Sequence, residues 1–520
     1  MKCFQKTAMS ESYSSDHYVS VPEFYAGIDV FITGGTGFMG KVLIEKLLRC
    51  CPDVRRVFVL MRCKRGKTPD ARVQELTNNP LFKCLKMQNP ATLAKLVPMF
   101  GDCMQLRLGM CDDDIRRLES VSVVFHLAAS VRFDDPLKDA ILTNVLSTRE
   151  IFEICKGLPE LKAMVHVSTA YSNPEQRNVE ERLYPPKADW RKMLDCALKF
   201  DHEVLDILTD KITNFAPNTY TFTKGLAEQV CKEYQDQLPL VIFRPSVVVN
   251  TIDEPLVGWI DNLNGPSGML VGAGTGVVRT DLMPIENSVN AIPADICIKA
   301  LILAAWRRGT KEETLRRNFL PVYNSAVEGE HTWQYRKVLD CGKANMTKLV
   351  TNRLLWVPGG SLTTWRIKYY LMVLLVHILP AMLVDALCLV TGKSTFLLKI
   401  QRKVFLAQSC LRYFAFNQWN FETKRLQSLR NDLRGKDVDN FSWHLSEQRI
   451  DQFYYDCWLG VRRYLLNDPD ETLPQAIRKV HRLIVIDRLL KIGLGLLAAY
   501  VLWKSSFFQN LETQLVRFSR

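Results

Sequence analysis

From about residue 27 to 310 the chain alternates short, nearly unbroken apolar runs with stretches of helical periodicity. "VFITGG", "RRVFVLMR", "VSVVFHLAA", "KAMVHVST" and "PLVIFRPS" read as strands covered on both faces. "GKVLIEKLLRC" and "TNVLSTREIFEICKGL" read as the helices between them. This alternation predicts βαβ units, hence an α/β fold with a Rossmann-type, doubly wound parallel sheet. After about residue 355 the pattern changes. "YYLMVLLVHILPAMLVDALCLV" (Tyr369–Val390) is long enough to cross a bilayer but contains His377, Pro380 and Asp385. A spanning helix, an interfacial or re-entrant hairpin and a buried core helix all fit it. Residues 400–466 read as an aromatic-rich α-helical domain. "IGLGLLAAYVLW" (Ile492–Trp503), extended by Ile484–Ile486 and Phe507–Phe508, predicts a C-terminal membrane segment with Trp503 at its edge.

The expected organisation is a disordered arm over 1–24 and a cofactor-binding catalytic domain over 25–310. A connecting region follows over 311–398, with an apolar segment at 369–390. A helical C-terminal domain over 399–470 and an anchor over 484–508 complete the chain. Composition changes this picture little. With 47% hydrophobic and 24% charged residues in 520, the chain is globular. Its net charge of +13 suits an anionic ligand, a membrane surface or nucleic acid. No zinc-finger spacing or RNP-like string supports the last. The fifteen cysteines are odd in number and irregularly spaced, so reduced thiols are expected and no metal site. The N-terminus lacks the apolar core of a signal peptide.

Chemistry enters with "TGGTGFMGKVLIEKLL", between the first strand and the first helix. Gly34, Gly37 and Gly40 are spaced for a tight turn, a close approach to a pyrophosphate and close helix–strand packing. The second strand ends in "FVLMRCKRGK", where Arg62, Lys64 and Arg65 stand in place of the acidic residue that would hold an NAD ribose. Cations there match a 2′-phosphate, so NADPH is the expected cofactor. Asp102 in "MFGDC" follows the third strand and is a candidate partner for the adenine amino group. In "YTFTK", Tyr220 and Lys224 share one helix face, and Ser168-Thr169 closes the strand "MVHVST". A phenol, an ammonium and a hydroxyl then converge beside a nicotinamide. The ammonium would lower the phenol's pKa, and the phenol would protonate an oxygen that gains charge during hydride transfer.

"TGGTGFMG" with "YTFTK" resembles the extended short-chain dehydrogenase/reductase superfamily. "VFHLAASVRFDDPLKDAILTNVLSTRE", "HVSTAYSN", "PNTYTFTKGLAE", "IFRPSVV" and "EPLVGWIDNLNGPSGMLVGAGTGVVRT" narrow the resemblance to alcohol-forming fatty acyl-CoA reductases of the animal, insect type. It extends from about residue 25 to 466. It implies that Tyr220 and Lys224 are the catalytic pair, with Thr169, or else Ser168, as hydroxyl partner. Thr33, Gly34, Gly35, Thr36, Gly37, Phe38, Met39 and Gly40 become the cofactor loop. His126, Ala128 and Ala129 line the cofactor after the fourth strand, Asn144 supports the lysine's water, and Pro245 and Ser246 lie by the nicotinamide. The implied reaction is NADPH-dependent reduction of a long-chain acyl-CoA to a primary alcohol, with CoA released and an aldehyde between two hydride steps. Met269-Leu270-Val271 and the 369–390 run are candidate walls for the acyl chain. "RTDLMPIENSVNAIPAD" is more hydrophobic than in a typical member. Membrane lipid is the expected partner, with the catalytic domain facing the cytosol from the endoplasmic reticulum or peroxisome. Oligomeric state and chain length stay open. A sterol- or sugar-directed relative and a catalytically silent lipid-binding relative are the competing readings.

Overall fold

The computed structural model describes residues 18–62, 66–311, 319–327 and 332–504. Its centre is a seven-stranded, wholly parallel sheet. The strands are β1 (Asp29–Thr33), β2 (Arg56–Met61), β3 (Leu96–Phe100), β4 (Val121–His126), β5 (Ala163–Val167), β6 (Leu240–Pro245) and β7 (Val322–Ser325). Their spatial order is 3-2-1-4-5-6-7, so the chain reverses direction across the sheet between β1 and β4. β1, β4, β5 and β6 are buried at every position, which is why they read as continuous apolar runs.

Helices cover both faces. On one lie α1 (Phe38–Cys50) and a later helix, Ala294–Thr310; on the other lie 137–156 and Thr219–Tyr234. In chain order the last three are α2 (137–156), α3 (Thr219–Tyr234) and α4 (Ala294–Thr310). α2 contains a π-helical turn at Leu142–Leu146.

The sequence boundary at 310 separates β7 from its sheet; the structure restores it, with Val322–Ser325 in register with Ile242–Pro245. The expectation of a disordered arm over 1–24 does not hold for residues 18–24. Residues 1–17 lie outside the described residues, but Ser20 caps a short helix, Val21–Tyr25, whose Val21 and Tyr25 are fully buried. Asp437 fastens it, accepting from the Tyr18 hydroxyl at 2.6 Å and the Val21 amide at 2.7 Å.

The C-terminal third is helical and packs back on the sheet domain through α5 (Arg366–Val390), α6 (Leu397–Phe416), α7 (Glu447–Gly460) and α8 (Leu473–Lys504). Two short parallel pairings stitch the regions together: Asn178–Val179 with Asn420–Phe421, and Thr280–Leu282 with Ser361–Thr363. α5 is not a buried core helix. Tyr369, Val373, His377, Ala381 and Asp385, spaced by four, form a buried stripe. His377 Nε2 accepts from the Arg279 amide at 2.8 Å, and Asp385 accepts three amides at the start of α6, at 3.0 Å each. The polar residues that interrupt the apolar run thus face the protein. Ile367, Leu371, Leu383, Leu387 and Val390 face outward, more than half exposed. α8 stays on the protein as far as Asp487, which accepts from Trp356 Nε1 at 2.8 Å. Every residue from Arg488 to Lys504 is exposed. Phe507 and Phe508 lie outside the described residues.

Candidate active site

The predicted site residues gather along the C-terminal edge of the sheet, where ligands bind in open parallel folds. Thr33 ends β1, and the backbone turns at Gly34 with φ of +75°, in the left-handed region. A Cβ there would stand 2.6 Å from the Ala128 amide nitrogen, so the loop runs directly against Ala128. Ala128 and its neighbour Ala129 are half-buried. Gly40 lets α1 settle on the loop, since a Cβ would meet the Gly34 carbonyl at 2.3 Å and Gly35 Cα at 2.6 Å. Gly35 and Thr36 complete the turn. Gly37 caps α1 with no side-chain hydrogen bond to its first amides, and Gly37, Phe38 and Met39 face the main cavity. That exposed helix start, at a backbone with no room for side chains, fits a dinucleotide pyrophosphate.

Arg62 follows β2 directly and is exposed. Asp102 follows β3 and accepts from the Met104 amide at 3.0 Å. Both act electrostatically on Cys103, so the structure brings them to neighbouring strand ends. Lys64 and Arg65 lie outside the described residues.

His126 is fully buried. Its Nδ1 meets Thr33 Oγ1 at 2.7 Å, and its Nε2 meets Ser147 Oγ at 3.3 Å. Burial, with the Lys224 charge, lowers its pKa to about 3, so the ring is neutral and ties β1 to β4. Asn144 sits in the π turn of α2. Its amide donates to Thr223 Oγ1 at 2.9 Å and accepts from the Ser130 amide at 2.9 Å. It therefore locks the α3 turn that carries Tyr220 and Lys224 to the loop after β4.

Ser168 and Thr169 part company. The Ser168 hydroxyl donates to Glu228 Oε1 at 2.6 Å inside a buried pair with Arg244. Thr169 lines the cavity together with Tyr220 and acts on its phenol. Burial raises the phenol to about 12, with Thr169 pulling the other way. Lys224 donates to the Val167 carbonyl at 2.7 Å, and burial lowers its own pKa to about 8. Burial is the largest influence on the phenol and outweighs the pull of Thr169, so it stands above its ordinary value rather than below it. Pro245 ends β6, fully covered, and Ser246 lines the cavity with an unpartnered Oγ.

The cavity measures about 1190 Å³ and runs from the glycine loop and Tyr220 into the C-terminal helices. Met269 and Leu270 line it as expected, but Val271 and residues 369–390 do not. Two aromatic residues went unassigned in the sequence. Phe133 stacks on Tyr220 with centroids 5.9 Å apart, and Phe414 on α6 meets Phe133 at 5.3 Å. Phe133 lies within a string that carries the resemblance and Phe414 does not, and their contact spans some 280 residues and leaves no local signal. Among the described residues no cluster of three or more His, Cys, Asp or Glu could hold a metal.

Fold and loop together define a nicotinamide-dependent oxidoreductase. Two family models, each described as male sterility protein, match residues 32–301 and 376–468. Fatty acyl-CoA reductase wat of Drosophila melanogaster is 35% identical over 465 residues, covering 89% of each chain. Fatty acyl-CoA reductase 1 of Gallus gallus is 34% identical over 491 residues, covering 94% of this chain and 93% of its own. The terminal R domain from the myxalamid PKS-NRPS pathway shares the fold, with a TM-score of 0.55 at 17% identity over 85% of this chain and 93% of that domain. The Mycobacterium tuberculosis non-ribosomal peptide synthetase R domain gives 0.55 at 18%, over 85% and 92%. The chain belongs to the fatty acyl-CoA reductase family.

Proposed function

We propose that the chain reduces long-chain fatty acyl-CoA to the primary alcohol with NADPH, releasing CoA and passing through the aldehyde. One observation carries this reading: a largely apolar cavity of about 1190 Å³ opens on Tyr220, Thr169 and the glycine loop together. The bound nicotinamide supplies hydride to the carbonyl carbon. Thr169 and Tyr220 hold the carbonyl oxygen as it gains charge. With a phenol held near 12, Tyr220 stays protonated at neutral pH and can give its proton when the aldehyde is reduced. Lys224, on the Val167 carbonyl one helical turn from Tyr220, would hold the cofactor's ribose. Asn144 fixes that helical turn. Ser168 belongs to the scaffold beneath it rather than to the reacting atoms. Purified protein given NADPH and palmitoyl-CoA should yield hexadecanol and free CoA, with about two NADPH consumed per alcohol. An absence of alcohol across graded chain lengths would refute the assignment.

Arg62, at the β2 end beside Asp102, supports NADPH over NADH. Arg62→Ala should raise the KM for NADPH about 10- to 100-fold while leaving that for NADH nearly unchanged, the loss expected for a hydrogen-bonded charge pair. An unchanged NADPH/NADH preference would assign the 2′-phosphate elsewhere.

The outward faces of α5 and α8 support attachment to lipid. α5 is docked along its whole length by its buried stripe, which favours a helix lying in the interface plane. The exposed helix Arg488–Lys504 extends about 25 Å and favours an anchor at the chain's end. Full-length protein should float with phosphatidylcholine vesicles. After Leu383→Glu and Leu387→Glu together it should float less, and equal recovery would exclude α5 from the contact.

A further inference from the structure

Among the polar residues in the wall of the cavity, two buried ones are used by neither the glycine loop nor the Tyr220–Lys224 pair. These are Thr280 and Asp281, on the short strand paired with Ser361–Thr363. They are only 1% and 4% exposed. The Thr280 hydroxyl has no hydrogen-bond partner, an arrangement native structures seldom keep without a use. Asp281 Oδ1 accepts from the Leu282 amide at 2.7 Å. Burial raises its carboxyl to about 6, against the pull of the Leu282 amide, the Arg412 charge and the Gln408 amide. Gln408 also donates to the Thr280 carbonyl at 2.8 Å and accepts from the Tyr369 hydroxyl at 3.0 Å. Arg412 lies over the Tyr369 ring, with its Nε and Nη2 unpartnered. In the wall of a hydrocarbon chamber, such a cluster is unfavourable unless an oxygen meets it.

Its place on the cavity is set by α6. Phe414 meets the Phe133 that stacks on Tyr220, whereas Gln408 holds the strand of Thr280. The two positions lie about 9 Å apart along the helix axis. The polar stretch therefore stands beside the acyl chain, away from the thioester.

We propose that Thr280 and Asp281 form a subsite for a hydroxyl group carried on the acyl chain remote from its thioester, which makes hydroxylated acyl-CoAs preferred substrates. The inference rests on the acyl-CoA reductase reading above. The chain hydroxyl would accept from Thr280 Oγ1, giving that hydroxyl the partner it lacks, and donate to the Asp281 carboxylate beside it. A hydrocarbon chain would leave the Thr280 hydroxyl unpaired, the situation in which a pocket discriminates most strongly.

The test compares palmitoyl-CoA with its mid-chain and omega-hydroxy counterparts, in wild type, Thr280→Val and Asp281→Asn. Thr280→Val keeps the branched shape that suits the strand and removes only the hydroxyl. Wild type should favour a hydroxylated substrate, and each substitution should lower the hydroxylated-to-plain ratio of kcat/KM by about tenfold. An unchanged ratio would overturn the subsite. So would an equal loss on both substrates, as a contact with the pantetheine arm or a folding defect would produce. Trp333 and Trp458 line the cavity, so quenching of their emission by hexadecanol and by its omega-hydroxy and mid-chain hydroxy relatives reads binding without turnover. Selective binding of a hydroxylated alcohol supports the subsite even where acyl-CoA is not reduced, an outcome that would sink the substrate reading alone. Equal binding of the alcohols overturns the subsite.

Discussion

Tyr220→Phe should lower kcat/KM for palmitoyl-CoA by about 100- to 10,000-fold, the range for loss of a positioned general acid. The substitution is small for the fold. The ring still stacks on Phe133, and only the hydroxyl beside Thr169 is lost. Cofactor binding, read by fluorescence transfer from protein to NADPH, should change by less than about threefold, because the glycine loop and Arg62 are untouched. An inactive variant that no longer binds NADPH would point to a damaged site instead, and one that keeps turnover would move the proton to another group. Thr169→Val should cost less, since the phenol remains.

The second large effect concerns stability. Arg244 and Glu228 are 0% and 1% exposed and pair through two bonds, Nε to Oε1 at 2.8 Å and Nη2 to Oε2 at 2.7 Å. Ser168 adds a third bond to the same carboxylate. Arg244→Met would leave Glu228 buried without its cation and should cost about 3–5 kcal/mol in denaturant titration. Glu228→Leu combined with Arg244→Met removes both charges and should recover much of that loss, because apolar replacement of a whole buried pair is often close to neutral. A single substitution costing under about 1 kcal/mol would show that the pair is open to water. Glu228 lies one turn along α3 from Lys224, so the single variant should also lower activity and the double variant restore it in part.

The sheet was legible because its strands are buried on both faces and appear as uninterrupted apolar runs. β7 was not: it is four residues long and contains Asn324 and Ser325. Asn324 is fully buried, but its amide serves the carbonyls of Val179 and Glu422, a reason invisible to local pattern. The glycine loop and the "YTFTK" spacing were readable because they need fixed residue types at fixed short intervals. Ser168 and Thr169 could not be separated, since neighbours at a strand end point to opposite sides and a one-residue error in the end exchanges them. Glu228 and Arg244, which engage the Ser168 hydroxyl and leave Thr169 on the cavity, come from across the fold. The polar interruptions at His377 and Asp385 read as defects in a membrane span. In the structure they are contacts made to the protein, and only tertiary packing distinguishes the two.

The cavity draws its walls from both ends of the chain. Met39 faces it from the first βα turn, and Trp458 from the last turn of α7. On the ribosome the sheet domain therefore emerges with a greasy trough open to the solvent, and the last of the segments that roof it follows more than a hundred residues later. At a synthesis rate of about 5–20 residues per second, that interval lasts several seconds at least. Through this interval the trough is an aggregation hazard that a chaperone or a nearby lipid surface would relieve. Enzymatic competence then arrives late, when the helix that closes the chamber has left the exit tunnel.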